Sequence, residues 1–207
     1  MPENRDIVKR TGTKEKILKV ASSLFSNNGY KATSVRKIAA EVGIRESALY
    51  NHFKNKEAIF LEIAQSLFSS PFSLSSDDIK ELSTRGKPFL QKFAMQYKML
   101  TFDKNSESMF KLLMIELLQN SELREQFMTQ FHQENIKTLS EGFFIMMQNN
   151  LIRSNDPMMV AYEFLSTLFY IRFQITLLRF DKKSADQFST QFEKHVDFFW
   201  ESIKIVN

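Results

Sequence analysis

The sequence predicts an all-α fold, and three observations point that way. Apolar residues recur at i, i+3 and i+4 over long segments, the period of a helix buried along one face. Only 5 Gly and 4 Pro occur in 207 residues, too few for the turn-dense pattern of a sandwich or barrel. Cys is absent, which excludes disulfides, thiolate metal sites and cysteine nucleophiles and accords with a reducing cytoplasm.

Residues 1–12 are polar and read as frayed. A first helix is expected from Thr13, where Ile17, Leu18, Val20, Ala21, Leu24 and Phe25 keep helical spacing, and Gly29 ends it. A second helix is read over Ser34–Glu41, broken by Gly43, and a third runs to about Phe53. Asn55 caps a fourth, with Ile59, Phe60, Ile63 and Leu67 as its stripe.

Residues 69–76 interrupt the pattern and set the expected domain boundary, 1–68 against 69–207. Further helices are expected near Asp77–Ser83, Pro88–Phe102, Ser106–Leu118 and Glu122–Asn149. Asp156-Pro157 opens another that continues to about Phe180. Ser184 and Gln187 have the spacing of a capping box for the last helix, which ends near Val206.

Charge is unevenly placed. Residues 1–56 hold 12 Lys/Arg against 5 Asp/Glu, whereas residues 57–207 hold 16 against 19. A basic front suits a polyanion, although a solvated basic face has the same composition. The N-terminus lacks the apolar stretch of a signal peptide. Met158–Phe180 is long enough to cross a bilayer, but Glu163, Arg172, Gln174 and Arg179 would be costly there, so a buried helix is expected and no membrane partner.

The most informative stretch is Thr33–Lys56, two short helices separated by Val42-Gly43-Ile44. This is the helix-turn-helix arrangement. Ala39 is small enough for close crossing, and Gly43 can take the left-handed conformation of the turn. Val35, Ile38, Val42, Ile44, Leu49 and Phe53 form the inner face. Arg36, Lys37, Arg45, Glu46, Ser47, Ala48, Asn51 and His52 remain outside, a polar or small surface suited to a DNA major groove. Tyr50, Lys54 and Lys56 fall where flanking phosphates would lie, and Lys56 also stands at a helix N-terminus.

In these residues the chain resembles the tetracycline-repressor (TetR) family. The resemblance covers about Thr13–Leu67 and rests on Ala21-x-x-Leu24-Phe25, Gly29-Tyr30, Thr33-Ser34-Val35-Arg36, Ile38-Ala39, Gly43-Ile44 and Leu49-Tyr50-x-His52-Phe53-x-x-Lys56-Glu57. It implies an N-terminal three-helix DNA-binding domain, followed by a helical domain for ligand binding and dimerisation. It also implies base contacts from Arg36 and positions 45–48 and 51, and backbone contacts from Tyr50, His52 and Lys56; Ser34 joins the DNA-binding candidates. Two departures stand out. Lys37 occupies a position often acidic in the family, which removes a capping box, and Arg45 replaces a Ser or Thr cap. Arg5, Lys9 and Arg10 form either a DNA-binding arm or a solubilising tail.

The region after residue 68 is rich in Phe and Met, which make adaptable walls for an apolar ligand. Phe89, Phe93, Tyr97, Phe110, Met114, Phe131, Phe144, Tyr162, Phe169 and Phe173 are candidates for a pocket, or equally for plain core. Among charged residues in apolar context, Glu116 and Arg172 are the first candidates for a ligand head group. The last two helices are apolar around more than one face, which fits either one deep monomeric core or a two-fold interface; the resemblance implies a homodimer, through Phe164, Leu168, Ile171, Ile175, Phe188, Phe192, His195 and Phe199.

Catalysis is not expected. The chain has three His, His132-x-Glu134 does not share a helical face, and no phosphate loop or nucleophile elbow occurs; no cofactor or metal is implied. The expected function is a ligand-responsive repressor that binds a palindromic double-stranded operator as a homodimer and is released by an apolar or amphipathic small molecule. The alternative is a constitutive DNA-binding organiser, or a regulator controlled by a protein partner.

Overall fold

A computed structural model describes residues 3–69 and 74–206, and their side chains except those of residues 3–11, 66–69, 105, 130 and 131. Eleven α-helices occur among the described residues, in chain order α1 (Glu3–Asn28), α2 (Val35–Val42), α3 (Glu46–Tyr50), α4 (Lys56–Ser69), α5 (Ser76–Ser83), α6 (Lys87–Phe102), α7 (Lys104–Leu117), α8 (Ser121–Gln126), α9 (Glu134–Gln148), α10 (Pro157–Phe180) and α11 (Gln191–Ile203). None is long and apolar enough to cross a membrane. The chain divides into two compact units, one of residues 1–67 with 108–123, the other of residues 68–107 with 124–207. The expected boundary near residue 68 is therefore incomplete: the later segment 108–123 packs with the first four helices.

In the first unit Ile17, Ala21 and Phe25 of α1, Ile38, Ala39 and Val42 of α2, Leu49 of α3, and Ile59, Phe60 and Ile63 of α4 are buried. Met109, Phe110, Leu112 and Leu113 of α7 join them. Helix α1 begins ten residues before the expected start at Thr13. Gly12 is the one strong helix-weakener there and costs only about 1 kcal/mol, too little to stop a helix anchored further on by packing.

In the second unit α9 lies along α10, α11 along α6, and α5 against both α6 and α9. The core is made by Phe89, Phe93 and Tyr97 of α6, Leu139, Phe143 and Met146 of α9, Phe164, Leu168 and Ile175 of α10, and Phe192 and Val196 of α11. Asp156 caps α10 by accepting from the Met158 and Met159 N–H groups, with Pro157 leading, as its sequence demands. The chain end is pinned by the Ile205 N–H donating to the Leu151 carbonyl at 3.0 Å.

Two expectations are corrected. The single helix over 122–149 is interrupted by a π-helical turn, Phe127–Gln133, which lies between α8 and α9. Its Phe127 meets Phe169 at 6.2 Å and its His132 meets Tyr162 at 5.4 Å, so contacts to α10 accompany the widened turn. Ser184 does not open the last helix. Its hydroxyl donates to Asp186, two residues on, at 2.8 Å. A 3-10 turn follows at Asp186–Phe188, and α11 starts only at Gln191. The nearer carboxylate outcompetes the backbone pattern a capping box requires.

Gly142 of α9 faces the ring of Phe89, and a Cβ there would lie 2.4 Å from it. Ala favours a helix over Gly by about 1 kcal/mol, but overpacking a full core costs about 1–3 kcal/mol. Gly142→Ala should therefore lower stability in urea denaturation despite the gain in propensity. Phe89→Leu in the same chain should recover part of the loss.

His195 stacks on Phe164 at 5.0 Å and its Nε2–H donates to the Phe164 carbonyl at 3.1 Å. Burial holds its pKa below the ordinary imidazole value, with that hydrogen bond opposing, and burial lowers His132 as well. The unfolded chain thus binds more protons through the imidazole range. Stability should be highest above the ordinary pKa of about 6.5 and fall as pH drops below it. His195→Gln, which keeps a donor without the titration, should flatten the dependence of the urea midpoint between about pH 7.5 and 5.5.

Candidate nucleic-acid interface

The candidate DNA reader, the pair α2 and α3 with the turn between them, is built on local signals. Ser34 caps α2, its hydroxyl accepting from the Lys37 N–H at 3.2 Å, and no acidic side chain returns the bond. Gly43 takes φ +80° and ends α2, its N–H donating to the Ala39 and Ala40 carbonyls. Ile38, Val42, Leu49 and Phe53 are buried as the inner face requires, whereas Val35 and Ile44 are half-buried. Arg45 stands at the start of α3 with extended backbone and caps nothing with its side chain. Helix α3 is only Glu46–Tyr50, shorter than the expected run to Phe53.

Two hydrogen bonds hold this pair to α1 and the residue that ends it. Thr33 donates to the Gly29 carbonyl at 2.9 Å, and the Lys16 ammonium donates to the Val42 carbonyl at 2.9 Å, at the negative end of α2. Lys14 pairs with Glu62 of α4 at 2.7 Å.

The outward face agrees with the sequence pattern. Ser34, Arg36, Lys37, Arg45, Glu46, Ser47, Tyr50, Asn51 and Lys54 are exposed, while Ala48 and His52 are half-buried. Lys56 differs. It is the first residue of α4, yet its ammonium donates to the Tyr30 carbonyl at 2.8 Å and lies 4.1 Å from the centre of the Tyr30 ring. Burial lowers the Lys56 pKa, with the Glu116 carboxylate opposing. Its ammonium is thus engaged within the reader rather than turned wholly to phosphate. Asn55 caps α4 as expected, accepting from the Ala58 N–H at 2.8 Å. The side chains of Arg5, Lys9 and Arg10 lie outside the described residues.

The proposed pocket residues do not form one group. Phe110, Met114 and Glu116 belong to the reader's unit, because α7 packs there from Ser108 onward. Phe89, Phe93 and Tyr97 are fully buried core, Phe169 and Phe173 are half-buried, and Phe144 and Tyr162 are exposed. The Phe131 side chain lies outside the described residues. Arg172 is buried with its guanidinium 5.8 Å from the Tyr97 ring. Burial pushes the Tyr97 hydroxyl up to about 12, with Arg172 opposing, and burial lowers the Arg172 pKa, with Tyr97 opposing. Two open apolar recesses lie elsewhere in this unit. One, about 200 Å³, runs between α6 and α11 beside Ala94, Phe192 and Val196; the other, about 240 Å³, lies beside Met95, Met99 and Phe102.

The proposed dimer residues are also redistributed. Phe164, Leu168, Ile171, Ile175 and Phe192 are buried within the chain's own core, while Phe188, His195 and Phe199 are half-buried. The large apolar residues that α10 and α11 leave exposed are others, among them Tyr170 at 59%, Leu177 at 52% and Phe198 at 76%. Spacing located two strongly apolar helices but did not separate the stripe that is core, with Phe164, Leu168, Ile171, Ile175 and Phe192, from the stripe left outside.

Known proteins share these features. Residues 17–63 match the bacterial regulatory proteins of the tetR family, and residues 88–201 match the C-terminal domain of AefR-like transcriptional repressors. The fatty acid metabolism regulator protein of Bacillus subtilis is 30% identical over 53% of this chain and 56% of its own length. The nucleoid occlusion factor SlmA of Photobacterium profundum is 34% identical over 40% of this chain and 44% of its own. The chain thus spans about half the length of these relatives. Among solved structures, SmeT, the repressor of the Stenotrophomonas maltophilia multidrug efflux pump SmeDEF, has the same fold in its complex with triclosan. Its TM-score is 0.70 at 15% identity, with 94% of this chain and 92% of that one covered. With both segments matched, on a reader of this geometry, the chain belongs to the TetR family of transcriptional regulators.

Proposed function

We propose that this chain is a repressor that binds a palindromic operator as a homodimer and is released by an apolar or amphipathic small molecule. The observation that carries the reading is the exposed face of α2 and α3. Arg36, Lys37, Arg45, Ser47, Asn51 and Lys54 project from a pair of helices whose opposite side is locked into the core. Side chains of this kind read base edges and hold phosphates when a short helix enters a major groove. In the proposed roles Arg36, Asn51 and residues 45–48 meet bases. Ser34, Tyr50, His52 and Lys54 meet the backbone.

A palindrome requires two readers about 34–36 Å apart, or somewhat more, and hence a dimer. The exposed apolar side chains of α10 and α11 suit a two-fold interface. The ligand is supported by the SmeT complex with triclosan and by the aromatic interior of the second unit. A second reading, a constitutive organiser without a small ligand, is favoured by the match to the nucleoid occlusion factor and by the modest size of both recesses.

Replacing Lys54 by Ala should weaken binding to all duplexes and lower the salt slope by about 1, whereas Arg36→Ala should cost about 1–3 kcal/mol and relax preference at its base. Anisotropy titrations at several salt concentrations separate the two, and an unchanged slope for Lys54→Ala would reverse the assigned orientation. Phe198→Asp should split the dimer in light scattering and abolish operator binding together. A wild-type particle of 24.3 kDa would exclude the dimer.

Thermal-shift screening of apolar cations, fatty acids and aromatic compounds, followed by titration against operator, tests the ligand. An inducer should weaken operator binding by about 1–3 kcal/mol, and operator should weaken inducer binding equally. Binding without any change in operator affinity would favour the organiser.

A further inference from the structure

The first turn of α4 is gripped from two directions. On one side Lys56 reaches the Tyr30 carbonyl and ring, just past the end of α1. On the other, the Glu57 carboxylate accepts a hydrogen bond from the side-chain amide of Asn120, 63 residues later in the chain. Asn120 is itself held at both ends. Its side-chain oxygen accepts from the Leu123 N–H at 2.8 Å, capping α8, and its backbone N–H donates to the Glu116 carbonyl at 3.0 Å. Glu116, the residue whose carbonyl takes that bond, is only 8% exposed.

We propose that Asn120 is a positioning residue for DNA recognition, fixing the start of α4 and, through it, the end of α3, without touching DNA. The connection is short. Tyr50 ends α3, the His52 and Phe53 N–H groups both donate to the Leu49 carbonyl, and Asn55 already caps α4. Movement of the α4 first turn therefore passes directly to Tyr50, Asn51 and His52. The inference rests on the reader being the DNA-binding surface.

Asn120→Asp isolates the contact, because Asp still caps α8 but sets a second carboxylate against Glu57. The probe is a duplex carrying the palindrome that the wild-type chain selects from a randomised library. N120D should bind it about tenfold more weakly, with the salt slope unchanged because no phosphate contact is lost. The E57Q/N120D double variant, in which donor and acceptor exchange places, should bind within about twofold of wild type. Hydrogen exchange at the amides of residues 46–58 gives a reading that needs no DNA: N120D should lose protection there and the double variant should regain it. Unchanged exchange and affinity in N120D, or a double variant as weak as the product of its singles, would overturn the proposal. A wild-type chain that selects no duplex would instead overturn the DNA-binding reading, leaving the exchange data to decide this one.

Discussion

A helix of five residues cannot sustain itself, since nucleation costs more than so few hydrogen bonds return. Helix α3, Glu46–Tyr50, exists because its neighbours hold it. Leu49 and Phe53 are buried, α3 packs on α2, Gly43 turns the chain with φ +80°, and Lys16 closes the end of α2. Every outward residue of the reader depends on that support. The same arrangement leaves Arg36, Ser47 and Asn51 exposed, so their side chains can be chosen for what they meet outside. In the proposed function, recognition and stability are carried by opposite sides of one small element.

The second unit solves a different problem. Helix α10 is apolar nearly all round, and a helix of that kind must be covered on every side or expose apolar surface. Its inner stripe, with Phe164, Leu168 and Ile175, is covered by α6, α9 and α11. Tyr170 and Leu177 are left outside, as is Phe198 of α11. Arg172 enters the interior over an aromatic ring, where the quadrupole of Tyr97 offsets part of the cost of burying a cation. The interruption of α8 and α9 by a π turn belongs to the same packing, since its Phe127 and His132 meet rings on α10.

Much of this was legible in the residues themselves. The caps at Ser34, Asn55 and Asp156, the turn at Gly43 and the span of α10 all follow from groups a few positions apart, where the chemistry of the partners is visible in sequence. The reader's inner and outer faces follow from period alone, because that unit has a polar side. Period fails where both sides are apolar: it named Phe164, Leu168 and Phe192 as interface residues, and all three are core. It also missed the π turn, whose extra residue leaves no mark in an apolar stripe read by eye.

The sequence by itself determined the helical class, the reader, its turn and the polar face it shows, because each of these is decided by neighbours along the chain and by the presence or absence of a charged side. Tertiary structure alone decided that segment 108–123 joins the reader's unit and which stripe of α10 faces inward. In the first unit the deciding partners are distant in sequence, 26 residues apart at Lys56 and Tyr30 and 63 apart at Glu57 and Asn120. Which of many polar side chains meets which is settled by the three-dimensional path of the backbone, and no local spacing encodes it.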